Sequence, residues 1–417
     1  MSRRCHPFAA VLAVLLSATA PAAAAFAEAD TAALAYRVEI LSAWEMAGRG
    51  NGTDAALSAA DSIAAWFAAA GLSPVPGREG WFQDFPLAGS AADGRGRNVL
   101  GWLPGVGALA GRVMIVGAHY DHLGLELAAD GETVVGFYPG AEDNASGVSV
   151  LVDLAARLAA GPDGARRGCL FAAFAGEEIG LLGSSWLARH PVWTPGTVDL
   201  MLNLDSVGRL RDDRLYVSGL GSSPALRPLV EAADAGLGLR LELSDGGWGA
   251  SDHVSFDAAG IPFLFLFTGP HPQYHSTEDR PELVPTAGLA RVAAFAEAVL
   301  GAALRRPDPF PHTPQPVSPA PDPATRGRER AWLGTIPDFV EGVEGVRLAG
   351  VMPGGPAEES GLRAGDVLVR LGDREIAGLP DLTAALQAHS PGRAVGVVVV
   401  RGGERLTYRI MLRRRPR

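Results

Sequence analysis

The sequence predicts an α/β fold: a mostly parallel central sheet flanked by helices, followed by a small β-rich domain. Two observations carry this prediction. Four near-continuous apolar runs, "GRVMIVGAHYDH" (111–122), "CLFAAFAGEE" (169–178), "DLMLNLDSVG" (199–208) and "IPFLFLFTG" (261–269), are separated by segments of helical periodicity. Strands that read as unbroken apolar runs are buried on both faces, as in a parallel sheet with helices above and below it. The second observation is a Pro-rich, polar break at 305–330, after which the pattern changes to short strands and turns.

Residues 1–27 read as a signal peptide. Arg3 and Arg4 precede the apolar run "FAAVLAVLLSATA", and small-residue cleavage sites extend to Ala27. The run is short for a membrane helix, which needs about 20 apolar residues. Export to the periplasm or medium is therefore expected, with a retained anchor as the alternative. No later stretch reads as membrane-spanning, so no stable membrane insertion is expected. Past the leader only Cys169 remains, which excludes an intramolecular disulfide.

Residues 28–303 form the large domain. "TDAALSAADSIAAWFAAAGL" (53–72) reads as an amphipathic helix stopped by Gly71, and "NASGVSVLVDLAARLAA" (144–160) as a helix capped by Asn144 or Ser146. Residues 304–330 read as an extended, semi-rigid linker. Residues 331–417 form the second, compact module. An apolar content of 47% allows a large core, and a net charge of −10 gives no electrostatic reason to bind nucleic acid. "NGT" (51–53) and "NAS" (144–146) match the glycosylation pattern, but the second lies among the candidate site residues and is discounted.

The residues after each apolar run set the chemistry. His119 and Asp121 follow the first, Glu177 and Glu178 the second, Asp205 the third, and His275 the fourth after a short loop. Asp143 precedes the 144–160 helix. Ligands of open α/β sheets gather beyond the carboxyl ends of the strands, so these side chains are expected to converge. Oxygen and nitrogen donors without thiolate suit zinc, cobalt or manganese. Two His and three carboxylates exceed one open zinc site and suit two metals about 3.5–4 Å apart with a bridging carboxylate. Taken singly, each residue has a structural explanation: Asp143 a cap, Glu177–Glu178 an acidic helix start. Their joint order along the chain favours a site. No GxSxG elbow is present and Cys169 is expected to be buried, so covalent catalysis is poorly supported.

"GAHYDH", "GAEDNASG", "AGEEIGLLGS", "NLDSVGR" and "YHSTED" resemble the successive metal-site motifs of the M28 family of co-catalytic zinc aminopeptidases. The resemblance covers roughly residues 40–300, and "GRNVLGWLPG" (96–105) matches the segment before the first metal strand. It implies a zinc-exopeptidase-type fold, peptide substrates and two zinc ions per chain. His119 and Asp205 would hold one zinc, Glu178 and His275 the other, and Asp143 would bridge. Glu177 would be the general base, Asp121 would hold the His119 ring in its tautomer, and Tyr274 would help stabilise the oxyanion. "GASDHVSF" (249–256) resembles a family segment near the substrate pocket, with Asp252 and His253 either site-adjacent or closing a turn. Two other readings stay open: a zinc carboxypeptidase or amidohydrolase with a similar series, and a one-zinc cyclising transferase on the same fold. The first class often inserts a lid between its last two ligands, whereas Asp205 and His275 are close in sequence here.

In the second module, "GGPAEESGL" reads as a turn and short helix, "GDVLVRLGDREI" as strand–turn–strand, "LPDLTAALQ" as a helix, and "VVVVRGGERLTYRIML" as a hairpin around Gly402-Gly403. The series resembles a bacterial PDZ domain. The resemblance places Leu333, Gly334, Thr335 and Ile336 at the carboxylate-binding loop, where protein C-termini would be captured. A PDZ fold that only packs on the large domain is the alternative.

Overall fold

The computed structural model describes residues 31–414 except 88–93, 129, 162–163, 165, 195–196, 234–235, 247–250, 316–330, 338–342 and 353. The expected signal peptide (1–27) and residues 316–330 of the Pro-rich segment lie outside the described residues. The strands of the large domain, in chain order, are β1 (Phe82–Pro86), β2 (Arg95–Leu103), β3 (Val113–His119), β4 (Leu125–Leu127), β5 (Val134–Phe137), β6 (Gly168–Phe174), β7 (Val198–Leu204), β8 (Arg214–Ser218), β9 (Arg240–Leu243) and β10 (Phe263–Phe267). β4 and β5 form a separate hairpin, and the others form one sheet ordered β1-β2-β6-β3-β7-β10-β8-β9.

The centre of that sheet is parallel: β6, β3, β7 and β10 run the same way. The flanks are antiparallel at β1–β2, β2–β6 and β10–β8. The sheet is thus mixed around a parallel centre. β3 and β6 are buried at every position, which explains the absence of alternation in their sequences. One face of the sheet, with Met114, Val116, Phe171 and Leu202, packs against α1 (Thr31–Leu41), α2 (Asp54–Ala69), α3 (Gly147–Ala159) and α7 (Thr286–Arg305). The other, with Ile115, Phe174, Met201 and Phe263, meets α4 (Leu182–Arg189) and α6 (His253–Asp257). The remaining large-domain helix is α5 (Leu226–Ala233). β8, α5, β9 and α6 occupy the interval between Asp205 and β10, continuing the sheet and its cover.

Three local findings refine the expectations. α2 starts at Asp54, with the Thr53 hydroxyl accepting from the Ala56 amide at 3.2 Å. α7 is long and apolar enough to cross a membrane by length and composition alone. It serves instead as a core helix, burying Leu289, Val292, Phe295, Val299 and Leu300. The expected linker begins later than 304: α7 runs to Arg305, and residues 306–313 lie against the large domain. Arg167 donates to the carbonyls of Arg306 and Asp308, Phe310 is buried, and His312 pairs with Asp257 at 2.7 Å. Prolines remove amide donors from this segment, so side chains fasten it.

In the second module, β11 (Ala331–Trp332) pairs with β18 (Arg413–Arg414). A second sheet runs β12 (Thr335–Pro337), β13 (Val346–Val351), β14 (Val367–Leu371), β16 (Ala394–Arg401) and β17 (Glu404–Met411), with β15 (Arg374–Glu375) on β14. α8 (Pro356–Glu359) and α9 (Leu379–Gln387) stand where the sequence places them. Gly402 and Gly403, at φ +58° and +88°, make the β16–β17 turn.

Candidate metal centre

Because β3, β6, β7 and β10 are parallel, their carboxyl ends share one edge of the sheet, and the residues after them meet there. Two groups of donors result, His119, Asp143 and Asp205 in one and His122, Asp143, Glu178 and His275 in the other. Asp143 belongs to both. Its Oδ1 lies 3.3 Å from His119 Nε2, and its Oδ2 3.0 Å from His275 Nε2. His119 Nε2 is 3.4 Å from Asp205 Oδ1, and His275 Nε2 is 3.1 Å from Glu178 Oε2. The structure therefore brings together all five residues expected from sequence, and adds His122, whose Nδ1 is 2.8 Å from Glu178 Oε1.

The Asp143 segment is fixed from several sides. Asp279 Oδ2 accepts from the amides of Glu142 and Asp143, both at 3.0 Å. The buried Glu142 carboxylate accepts from the amides of Gly208 and Arg209 and from the Thr268 hydroxyl. Asn144 Oδ1 accepts from the amides of Ser206 and Gly147, which ties the start of α3 to the residue after Asp205. The expected Asn144 cap is thus present and also serves the site. Arg49, fully buried, donates to the carbonyls of Tyr120, Pro139 and Gly140. None of Glu142, Asp279, Arg209 or Arg49 was singled out from sequence.

Asp121 has a different task from the one expected. His119 Nδ1 is 3.2 Å from the Asp121 backbone carbonyl but 3.8 Å from its carboxylate. The carbonyl can therefore fix the tautomer that leaves Nε2 bare. The carboxylate accepts instead from the amides of Glu177 (3.1 Å) and Glu178 (3.2 Å) and from Asn51 Nδ2 (2.6 Å). It braces the turn carrying both glutamates. Asn51 and the buried Asn144, the two glycosylation-pattern asparagines, both spend their side chains on the site.

The electrostatics match a pocket built around positive charge. Burial pushes the Asp143 carboxyl up, but His119, His122 and His275 outweigh it and hold it well below the usual range. Burial and Asp143 push Glu178 up, yet His275 and His122 bring it down to about 2. Burial pushes His275 down, but Glu178 and Asp143 raise it to about 9. His119 behaves likewise, raised by Asp205, Glu177 and Asp143 against burial. Glu177 moves the other way: burial pushes it well above the carboxylate range, His119 opposes this, and Glu178, Asp205 and Asp252 add to the rise. Carboxylates facing imidazoles through bare nitrogens, without thiolate, form a donor set that fits divalent cations such as zinc.

Tyr274 stacks on the His275 ring (centroids 3.8 Å apart) and is 40% exposed. Asp252 and His253 are buried at the start of α6, so the segment is helical from His253 on. Cys169 is buried and reduced, with its thiol pushed up by burial. In the second module, Leu333 is buried, Gly334 sits at φ +76°, and Thr335 and Ile336 pair with Val351 and Gly350 on an edge strand.

Comparison with known proteins agrees with this architecture. The sequence model of peptidase family M28 matches residues 98–300, and that of the PDZ domain matches residues 315–412. Aminopeptidase YwaD of Bacillus subtilis is 33% identical over 205 residues, 46% of this chain and 42% of the relative. The chain spans about half or less of the length of the curated relatives it matches. A zinc aminopeptidase structure from Bacillus subtilis superposes with a TM-score of 0.53 at 20% identity, covering 66% of this chain and 95% of that one. A Porphyromonas gingivalis glutaminyl cyclase gives 0.55 at 21% identity, covering 66% and 99%. At such identities the superpositions speak for the fold, and the sequence models liken residues 98–300 to peptidase family M28 and residues 315–412 to a PDZ domain.

Proposed function

We propose that this chain is an exported two-zinc aminopeptidase. The single observation that carries the reading is Asp143, shared by two separate donor groups whose other members come from the ends of different strands. His119 and Asp205 would hold one zinc, Glu178 and His275 the other, and Asp143 both. Bound there, zinc would supply a Lewis acid for the scissile carbonyl and would lower the pKa of water to near neutrality. Glu177, held beside this edge by the Asp121-braced turn, accepts the proton of the attacking water and returns it to the leaving amine. Its raised pKa suits the return step. Tyr274, exposed and stacked on His275, offers a hydroxyl to the oxyanion side. The interval from Asp205 to His275 is taken up by strands and helices of the main fold, which favours this layout over lid-bearing carboxypeptidases. Edge strand β12 supports capture of protein C-termini at residues 333–336 by strand addition. Export rests on the leader at residues 1–27.

The test is hydrolysis of aminoacyl chromogenic substrates by the zinc-loaded protein, with free and blocked amino termini and with Glu177→Ala as control. Activity confined to free amines and lost in the variant is expected. Equal hydrolysis of blocked substrates would point to an amidohydrolase. Cyclisation of an N-terminal glutamine without peptide hydrolysis, at one zinc per chain, would point to the transferase.

A further inference from the structure

We infer that His122 is a positioning residue that makes the two halves of the centre unequal, by holding Glu178 for the metal shared with His275. The inference rests on the two-metal reading above. His122 Nδ1 lies 2.8 Å from Glu178 Oε1, whereas the other oxygen, Oε2, faces His275 Nε2 at 3.1 Å. One oxygen of Glu178 is thus engaged by His122 while the other is presented to the site. In the other half, Asp205 Oδ1 meets the candidate ligand His119 at 3.4 Å and accepts the Ser206 hydroxyl at 3.2 Å, so its close partner beyond the donor set is a hydroxyl and not an imidazole.

The His122 ring is built in rather than incidental. It is fully buried, and its backbone amide donates to the Arg49 carbonyl at 3.3 Å. Its Cδ2 edge lies against Gly140, where a β-carbon would come within 2.6 Å of it. It meets the His275 ring edge-on at a centroid distance of 5.6 Å.

The proton inventory separates positioning from direct ligation. Nε2 of His122 is buried and has no hydrogen-bond partner among the described residues. If Nδ1 were a bare metal ligand, the proton would sit on Nε2 as a buried donor without an acceptor, the costlier defect. With the proton on Nδ1, it is donated to Glu178, and only an acceptor lone pair goes unused. An imidazole N–H on a ligating carboxylate is a typical outer partner of a metal site, and losing such a partner costs about 10–100-fold in metal affinity.

The experiment titrates zinc into the metal-stripped full chain against a competing chromogenic chelator, comparing wild type, His122→Phe and His122→Asn, with cobalt(II) spectra alongside. Phe keeps the ring packed on Gly140 and lacks the donor, and the Asn amide nitrogen overlays Nδ1. The expected result is about a 10–100-fold weakening of one zinc equivalent in His122→Phe, the other unchanged, with most of the loss restored in His122→Asn. Unchanged affinity for both equivalents in His122→Phe overturns the inference. So does a His122→Asn as weak as His122→Phe with an altered cobalt spectrum, because that makes the ring a ligand. Failure of the wild type to bind a second zinc would instead refute the two-metal reading, leaving the His122 comparison readable on the remaining equivalent.

Discussion

Asp121→Ala isolates the claim that this carboxylate braces the glutamate turn and does not act through His119. The substitution removes the acceptor of two backbone amides, Glu177 at 3.1 Å and Glu178 at 3.2 Å, and of Asn51 Nδ2. A buried donor left without an acceptor costs about 1–3 kcal/mol. Both glutamates are only half-buried, so water reaches part of the turn and the lower end of the range applies to each amide. The expected loss is about 2–3 kcal/mol, with each amide at the low end of that scale. For a domain of this size, that corresponds to a drop in Tm of about 5–10 °C. The assay is thermal unfolding in excess chelator, so that bound zinc does not mask the effect, followed by zinc stoichiometry at graded chelator strength. On the proposed two-zinc assignment, the zinc held with Glu178 should weaken more than the one held with His119, because the turn moves and the His119 tautomer stays fixed by the Asp121 carbonyl. A metal-free Tm within 1 °C of wild type, together with selective loss of the His119 zinc, would refute the reasoning and restore the carboxylate to the His119 ring.

Four further outcomes are expected. Glu178→Ala should lower zinc content per chain, whereas Glu177→Ala should retain zinc and lose about 100-fold or more in kcat, as removal of a general base does; metal analysis beside steady-state kinetics checks both. Gly140→Ala should abolish zinc binding, because the residue sits at φ +56° and a β-carbon would collide with the Asp143 carbonyl and crowd His122; zinc content of the folded fraction reads this out. Phe310→Ala should cost about 3 kcal/mol, as for a buried Phe, without changing zinc content; denaturant unfolding measures it, and a negligible change would mean that 306–313 is not fastened as described. Asp366 is held below its usual range: burial pushes it up, but the two-pronged contact from Arg401 and the Arg363 amide outweigh it. A folded pKa below the unfolded one gives stability that is complete above the unfolded value and is lost as pH falls through the folded value. Acid titration of the full chain by calorimetry should therefore show the PDZ transition weakening below about pH 4, a dependence that Asp366→Asn removes.

The parts of the site that could be read from sequence are those whose signal is local. His119, Glu177, Glu178 and Asp205 each follow an apolar run within a few residues, and a parallel sheet turns that adjacency into convergence. His122 carries no such signal: it stands three residues past His119 in a motif whose first two polar members already had roles. Asp279, Glu142 and Arg209 are joined only by the fold. Glu142, in the turn before α3, meets Thr268 at the end of β10, and Arg209 Nη2 reaches Asp279 at 2.9 Å. No linear spacing encodes those contacts. The fastened start of the Pro-rich segment is hidden for a related reason. Its composition resembles a linker throughout, and what distinguishes residues 306–313 is one buried Phe and a distant, buried Arg167 that supplies the donors.

The adjacency of Glu177 and Glu178 shows how a fold can hold like charges together and still assign them different chemistry. β6 delivers the chain rigidly to Gly176, whose φ of +75° turns it out of the sheet, and Asp121 then takes both amides. A third carboxylate thereby stabilises the turn through donors and not through charge. From that shared brace the two side chains diverge. Glu178 faces His122 and His275, and those imidazoles bring it down to about 2 despite burial. Burial pushes Glu177 far up, and its neighbour Glu178, Asp205 and Asp252 add to this and outweigh the opposing charge of His119. Paired carboxylates driven apart in this way fit the proposed division between an anionic ligand, Glu178, and a proton carrier, Glu177. The separation comes from which strand end each side chain faces, so moving the turn, as Asp121→Ala does, should blur both roles together.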